Sequence, residues 1–497
     1  MEALMPLAIL SVGALFTYLV GRLSRSRMLT GFIAFLAVIG AGSGVYQGWE
    51  ELKGGYPAGW PHDYATGPLQ SYLVADYLGI FLATVVLLLT GLVAVYSMRY
   101  MHRRDIGKFY ALLLMMTAGV VGIGYARDLF TLYVLFEVMS ISSFVLVAFE
   151  REEWEPIEAG VKYLVISTTG SLLALLAIAI VYTWTGSLDL TTLPLMLVER
   201  AGSAPMIAVL AMLLVGFGVK AAIVPMHTWL PDAHSAAPSG ISAMLSGIVI
   251  EAGLIAMLKS LLGIGAVELG LGLGILALVT MSVGNLVALR QTDLKRMFAY
   301  SSVAQMGYIF LGVALALGYP ATAGFSGMRG ALYHILNHGI AKGGAFLCAG
   351  AFLWLLGTRD MRRLSGIGRR FPVVAVCFII FVLALAGTPP LNGYFSKFLL
   401  VRAGADVGGW GLFLAVMLVL NSVISLFYYL GAINTVIFGP VPEDAPRTIK
   451  PLPFMIVLPI LVLGVLAVLL GLYPELGLEI VDPAAGQAMS MIHEVLF

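Results

Sequence analysis

The stretch GFGVKAAIVPMHTWLPDAHSAAPSG, Gly216 to Gly240, decides the fold. It opens inside an apolar run that begins near Met206 and carries Lys220 near its middle. Five residues on stands Pro225, which lacks a backbone donor and clashes with the preceding turn. A lysine in hydrocarbon costs roughly 2.5–3.5 kcal/mol on insertion scales. A proline at that depth frees backbone carbonyls that need a new partner or water. A charge beside a helix break within two turns is expensive, and its near-central place argues against a lysine snorkelling to the surface. The pair therefore reads as functional.

Composition sets the class. The 497 residues are 60% hydrophobic and 11% charged, with mean hydropathy +0.97. Soluble domains carry about 25% charged residues, so this is a polytopic membrane protein whose main surroundings are the lipid bilayer. A net charge of +1 points to no partner, and nothing suggests nucleic acid. Cys348 and Cys377 lie in apolar runs and read as inert thiols. Met1 to Val20 lacks a basic n-region and a small-residue cleavage motif, so it reads as a retained first helix. The longest polar stretches, Gly48 to Asp76 and Val441 to Lys450, are too short for a soluble catalytic domain.

A membrane crossing needs about 20 apolar residues. Fourteen candidate spans follow, near 2–21, 29–48, 77–98, 108–125, 129–149, 160–184, 205–230, 240–262, 267–289, 296–318, 329–356, 372–400, 408–438 and 452–473. The tail, Tyr473 to Phe497, carries an apolar stripe and reads as an interfacial helix. Loops after odd-numbered spans hold 18 of the 28 Lys and Arg, among them Lys295 and the Arg359 to Arg370 group; five lie on the other side and five inside spans. By the positive-inside rule both termini are then extracytoplasmic, in a cell (inner or plasma) membrane.

Span 12 also breaks, at Pro389 and Pro390, with Lys397 just beyond. The two broken spans are five apart, and a tandem five-helix unit inserts its second copy inverted because five is odd. Interrupted helices in matching places are the mark of an inverted-repeat transporter. The expected division is an N-terminal three-helix segment (1–100), a first five-helix repeat (108–262), a second, inverted one (267–438) and a C-terminal helix and tail (452–497).

The interior holds few ionisable groups. Glu137 follows the apolar run RDLFTLYVLF. Alone there a carboxyl keeps its proton; beside Lys220 it ionises, so a Glu–Lys pair that forms and breaks would switch the lysine. A static structural salt bridge is the alternative, though buried pairs are poor stabilisers. His334, His338 and Lys342 are spaced i, i+4, i+8 and share one face of span 11. That suits a proton relay, since histidine titrates near neutral pH. The H-x-x-x-H spacing lacks the zincin glutamate, so no metal is assigned; packed core histidines are the plain alternative. Glu251 and Lys259 lie two turns apart on span 8. Glu251 could pass protons or bind a cation, and Lys259 could equally snorkel. Trp154, Trp184 and Trp229 stand at predicted span ends and read as aromatic-belt residues.

The segments GFGVKAAIVPMHTWLPDAHSAAPSGISAMLSG, DLKRMFAYSSVAQMGYIFLG, NHGIAKGGAFL and TRDMRRLSGIG resemble a known family. It comprises the antiporter-like subunits of respiratory complex I, Mrp-type multisubunit Na+/H+ antiporters (the D-type subunit above all), and energy-converting membrane hydrogenases and sulfur reductases. The resemblance covers roughly residues 70 to 435. It implies an all-α fold of about 14 transmembrane helices with two inverted five-helix repeats and broken helices 7 and 12. It implies that Glu137 pairs with Lys220, that Lys397 is the charged residue of broken helix 12, and that His334, His338 and Lys342 belong to the connecting helix 11. Glu251 departs from the pattern, since many proton-pumping members carry lysine there, and Lys259 stands where an arginine is common. That leaves room for Na+, although sodium sites want several oxygen ligands.

The expected function is an ion-translocating (H+, Na+ or both), non-redox subunit of a larger membrane complex, with further antiporter-like subunits among its partners. Protons would pass through Lys220, Glu251 and the span-11 groups and leave past Lys397. No cofactor is implied, for no Cys-x-x-Cys, nucleotide loop or quinone motif occurs. The rivals are a stand-alone secondary transporter, which would need a polar midplane pocket rather than a line of ionisable groups, a quinone-associated subunit of a redox enzyme, and a scaffold that has lost transport.

Overall fold

A computed structural model describes residues 4–24, 26–54, 73–101, 105–265, 269–319, 322–442 and 451–496. Arg25, Arg103, Arg104, Arg447 and Lys450 of the basic loops, and most of the two polar stretches, lie outside the described residues. The described chain is helical: α1 (Leu4–Ser24), α2 (Arg27–Lys53), α3 (Tyr77–Tyr100), α4 (Ile106–Tyr125), α5 (Leu129–Val147), α6 (Trp154–Thr185), the short α7 (Leu193–Leu197), α8 (Ala204–Lys220), α9 (Trp229–Ala236), α10 (Ser239–Gly263), α11 (Gly270–Ala288), α12 (Leu294–Gly318), α13 (Thr322–Leu356), α14 (Pro372–Ala386), α15 (Asn392–Val407), α16 (Gly409–Phe438), α17 (Phe454–Leu472) and α18 (Glu475–Leu496). Twelve of these are long and apolar enough to cross a membrane; α8 and α14 are shorter apolar helices, each followed by a second piece. The all-α polytopic fold is the one expected.

Helices α10, α12 and α13 form the centre. The apolar window of α10 is buried throughout and that of α12 almost so, whereas α1, α2, α6 and α16 bury only a minority of theirs. A helix apolar on every side belongs inside. At 1.5 Å per residue, the 35 residues of α13 run about 52 Å. Glycine lets two central helices touch: a Cβ on Gly247 of α10 would stand 3.2 Å from the Gly339 carbonyl of α13. Such small residues let backbones approach within a membrane.

Two helices begin alike. Asp128 caps α5 by accepting from the Phe130 and Thr131 amides, each at 2.9 Å, and Asp293 caps α12 by accepting from the Arg296 amide at 3.0 Å. These side chains satisfy amides that a helix start leaves open. Each Asp also forms an isolated antiparallel bridge to the segment after the next helix, Asp128 with Asp189 and Asp293 with Asp360.

Three details differ from the sequence reading. Lys295, expected in a loop, is buried at the start of α12 and donates to the Ala237 and Ser235 carbonyls at 2.5 and 3.4 Å. Those carbonyls end α9 and need a donor. Lys162, expected inside a span, is half exposed and pairs with Glu158 and Asp232 at 2.8 and 3.2 Å. The tail helix α18 straps other helices. Its Asp482 accepts two bonds from Arg329 of α13, at 2.6 and 2.8 Å, and its Gln487 accepts from the first amide of α3 at 2.7 Å.

Candidate ion-translocation site

The α-helical pattern stops at Lys220 and resumes at Trp229. The break frees backbone groups, and side chains take them up: Trp229 Nε1 donates to the Val219 carbonyl at 2.7 Å, and Thr280 Oγ1 accepts from the Val224 amide at 3.2 Å. Trp229 is fully buried and stacks on Tyr163, with ring centroids 3.9 Å apart. It is therefore a part of the break, and the aromatic-belt reading is corrected: a freed carbonyl beneath the indole outweighs the pull of the interface.

Lys220 is fully buried. Its Nζ donates to Tyr163 Oη at 2.7 Å and lies 3.4 and 3.5 Å from Ser143 and Ser167 Oγ. It also faces the rings of Phe144 and Tyr163, at 4.6 and 4.3 Å, contacts that attract a cation. Tyr163 can pass its own hydroxyl proton to Ser143 at 3.1 Å, and Ser143 donates to the Ser140 carbonyl of α5 at 2.7 Å. Room for the lysine comes from Gly253 of α10, where a Cβ would stand 2.9 Å from Lys220 Cβ.

The lysine's hydrogen-bond partners are hydroxyls and do not include Glu137, which acts on it electrostatically without a direct hydrogen bond. Glu137 sits one turn before the buried Ser140, partly buried at the edge of the stripe of α5 that exposes Phe130, Val134, Ile141 and Val145. Its Oε1 has no hydrogen-bond partner.

Where α10 meets α13 at Gly247 and Gly339, Glu251 and His338 come together. Glu251 lies one turn beyond Gly247 on the same face, and His338 precedes Gly339. Both side chains are fully buried, and Glu251 Oε1 bonds His338 Nδ1. Glu251 Oε2 and His338 Nε2 have no protein partner. One turn along, Lys342 donates to Ser301 Oγ at 2.6 Å and to the Phe298 carbonyl at 2.8 Å. Ser301 in turn bonds the Tyr429 hydroxyl of α16.

The second break ends α14 at Gly387, whose φ of +89° suits glycine. A Cβ there would also stand 2.8 Å from the Lys397 side chain. Lys397 reaches back from α15 and donates to the Leu385 and Ala386 carbonyls at 2.9 and 3.0 Å. A lysine on the last carbonyls of a helix is favoured by hydrogen bonding and by the helix dipole. Nearby, His334 Nδ1 meets Ser396 Oγ at 2.8 Å and His334 Nε2 meets Gln305 Oε1 at 2.9 Å.

Lys259 stands apart. It is buried and donates to the Gly124 and Ala126 carbonyls that end α4, and Asp76 lies 3.7 Å away. It also lines a cavity of about 510 Å³ with Asp76, Arg127 and Gln487. Snorkelling is thus corrected to helix capping.

Sequence reasoning missed Tyr163, Ser143, Gln305 and Tyr429, which are neutral and carry no signal in an apolar run. It also passed over His234, fully buried with both ring nitrogens unpartnered and stacked on Phe346; a histidine inside the stretch first quoted was a readable signal. Among the described residues no three His, Cys, Asp or Glu side chains converge as metal ligands.

Residues 126–425 match the family described as NADH:quinone oxidoreductase/Mrp antiporter, transmembrane. NADH-quinone oxidoreductase subunit N of Desulforudis audaxviator is 34% identical over 446 residues, covering 86% of this chain and 85% of that protein. Among solved structures, a chain of the membrane-bound sulfane sulfur reductase, an archaeal respiratory membrane complex, superposes with a TM-score of 0.86 at 27% identity and 99% coverage of both. A chain of respiratory complex I from Thermus thermophilus does so at 0.74 and 27%, covering 96% of this chain and 99% of that one. With more than half of its length in the family match and relatives aligned nearly end to end, the chain belongs to the NADH:quinone oxidoreductase/Mrp antiporter transmembrane family.

Proposed function

We propose that this chain is the proton-translocating, antiporter-like subunit of a multisubunit respiratory-type membrane complex in the cell membrane, with redox chemistry left to its partners. The observation that carries this is the file of buried titratable side chains, Lys220, Glu251, His338, Lys342, His334 and Lys397, on helices that meet at the centre. Charged groups at that depth are costly and line ion pathways. Protons are favoured over Na+ because Glu251, the one fully buried carboxylate among the described residues, is bound to a histidine rather than set in an oxygen cage. Glu137, whose carboxylate oxygen is buried within electrostatic reach of Lys220, acts as a switch on the lysine as the two approach or part. Lys259 holds the end of α4 and borders the path.

In this reading α8–α9 and α14–α15 each make one crossing, giving fourteen. Residues 108–262 and 267–438 are inverted repeats, flanked by 1–100 and 452–497. The matching caps and bridges at α5 and α12, the second helix of each unit, support that division.

The test uses Lys220→Arg, Lys397→Arg and the double variant. A lysine can give up and regain a proton, whereas an arginine keeps its own. Each single variant is expected to abolish coupled flux in vesicles while native gels show normal assembly. The double variant is expected to be no worse, because the residues act in series. Near-normal flux with Lys220→Arg makes the lysine a fixed charge and ends the relay mechanism.

A further inference from the structure

Gln305 of α12 is fully buried between two halves of the file. Its Nε2 lies 3.1 Å from the Leu385 carbonyl, which also receives Lys397, and 3.4 Å from Tyr429 Oη. A carbonyl only accepts, so the amide NH2 must face Leu385 and Oε1 must face His334. That oxygen, 2.9 Å from His334 Nε2, in turn needs a donor. We propose that Gln305 is a positioning residue that holds His334 as its Nε2–H tautomer and closes the hydrogen-bonded path from Lys342 to His334 against protons. This rests on the proton-relay reading and adds a direction to it.

The consequences follow bond by bond. With Nε2 protonated, neutral His334 offers its lone pair at Nδ1, and the Ser396 hydroxyl donates to it across 2.8 Å. When Nδ1 takes a proton, it becomes the donor to Ser396 Oγ. The hydroxyl then turns to the Gly393 carbonyl, already 3.1 Å away. Both charge states are thus fully hydrogen-bonded, and exchange occurs only on the α15 side, where Lys397 follows Ser396 in sequence. On the other side, Lys342 donates to Ser301 and Ser301 bonds Tyr429. Toward His334, Tyr429 meets the amide NH2 of Gln305, which donates but has no lone pair to take up a proton, and its other neighbour Tyr428 leads to the amide of Asn285. A proton arriving at Tyr429 stops there until Gln305 moves. The glutamine separates the Glu251–His338–Lys342 half from the His334–Lys397 half.

The test reads the tautomer directly. The assembled complex is prepared with ring-15N histidine, and His334→Asn identifies the His334 signals. Wild type is expected to show protonated Nε2 and bare Nδ1, and Gln305→Leu a shift to mixed tautomers. A wild-type Nδ1–H ring, or a spectrum unmoved by Gln305→Leu, overturns the proposal whatever the transport assays show. Gln305→Glu keeps the shape: its protonated carboxyl can donate to Leu385 and accept from His334, and can also hand on a proton. It is expected to keep the tautomer and raise passive proton leak into vesicles several-fold. Unchanged leak with the tautomer retained overturns the barrier. Failure of the relay itself would register separately, as normal flux in Lys220→Arg.

Discussion

Lys220 and Lys397 are the same residue in different chemical company. Lys397 is held by two carbonyls at a helix end, acceptors that cannot carry a proton away. Lys220 is held by hydroxyls, which accept and donate, and its chain runs through Tyr163 and Ser143 to α5. Hydroxyls can pass the Lys220 proton on, whereas Lys397 hands its proton to a group other than these two carbonyls. Tyr163→Phe removes the nearest hydroxyl while leaving the ring that stacks on Trp229. A hydrogen bond to a charged group contributes about 1.5–3 kcal/mol, and 1.36 kcal/mol is tenfold in rate. Flux in assembled vesicles should fall on the order of tenfold or more. Wild-type flux in Tyr163→Phe means that protons leave Lys220 by another route. The ionisable members of this site were legible because a charge in an apolar run stands out against its cost. Tyr163, Ser143, Gln305 and Tyr429 were not, since hydroxyls and amides pass unnoticed in a span and matter only through what folding sets beside them. Glu137 and Lys220 share no direct hydrogen bond, although the carboxylate is buried and acts on the lysine electrostatically, since spacing along two helices does not fix the distance between their side chains.

Helix order and the two breaks followed from hydropathy and proline, so the elements were largely readable. Their crossings were not, because these depend on glycines that look alike in sequence. Gly247 is decisive. A side chain there meets Leu89 at 2.9 Å and the Gly339 carbonyl at 3.2 Å. Backbone on one side and a packed core residue on the other leave little room to yield. Gly247→Val should cost about 1–3 kcal/mol, as overpacking does, and push α10 away from α13. Glu251 and His338 then part, so flux should fall further than the modest drop in thermal midpoint explains. Gly42, with nothing within 4 Å of its missing Cβ, is the control: Gly42→Ala should leave flux unchanged. Equal effects at both positions would mean that the α10–α13 crossing does not set the Glu251–His338 contact.

At the scale of the whole molecule, α13 ties the ends together. Its start is clamped by α18 through Arg329 and Asp482, and its far end leads into the Arg359 to Arg370 loop. There Arg359 pairs with Asp293 and Glu155 at 3.1 and 2.9 Å. A helix about 52 Å long exceeds the roughly 30 Å hydrocarbon core, so its two ends lie on opposite sides of the bilayer. Basic residues crowd the loop end, which the positive-inside rule assigns to the cytoplasm; the expectation is that α18 lies on the extracytoplasmic side. Exposed single cysteines at Arg363 and Ser490 can decide this, because native Cys348 and Cys377 are buried and should stay silent. With an impermeant thiol reagent on right-side-out vesicles, Ser490→Cys should label and Arg363→Cys should not, with the reverse on inverted vesicles. Labelling of both from one side would contradict the odd number of crossings between the two positions. It would remove the reading of each broken pair as one span, and with it the inverted relation between the repeats that puts Lys220 and Lys397 in one path.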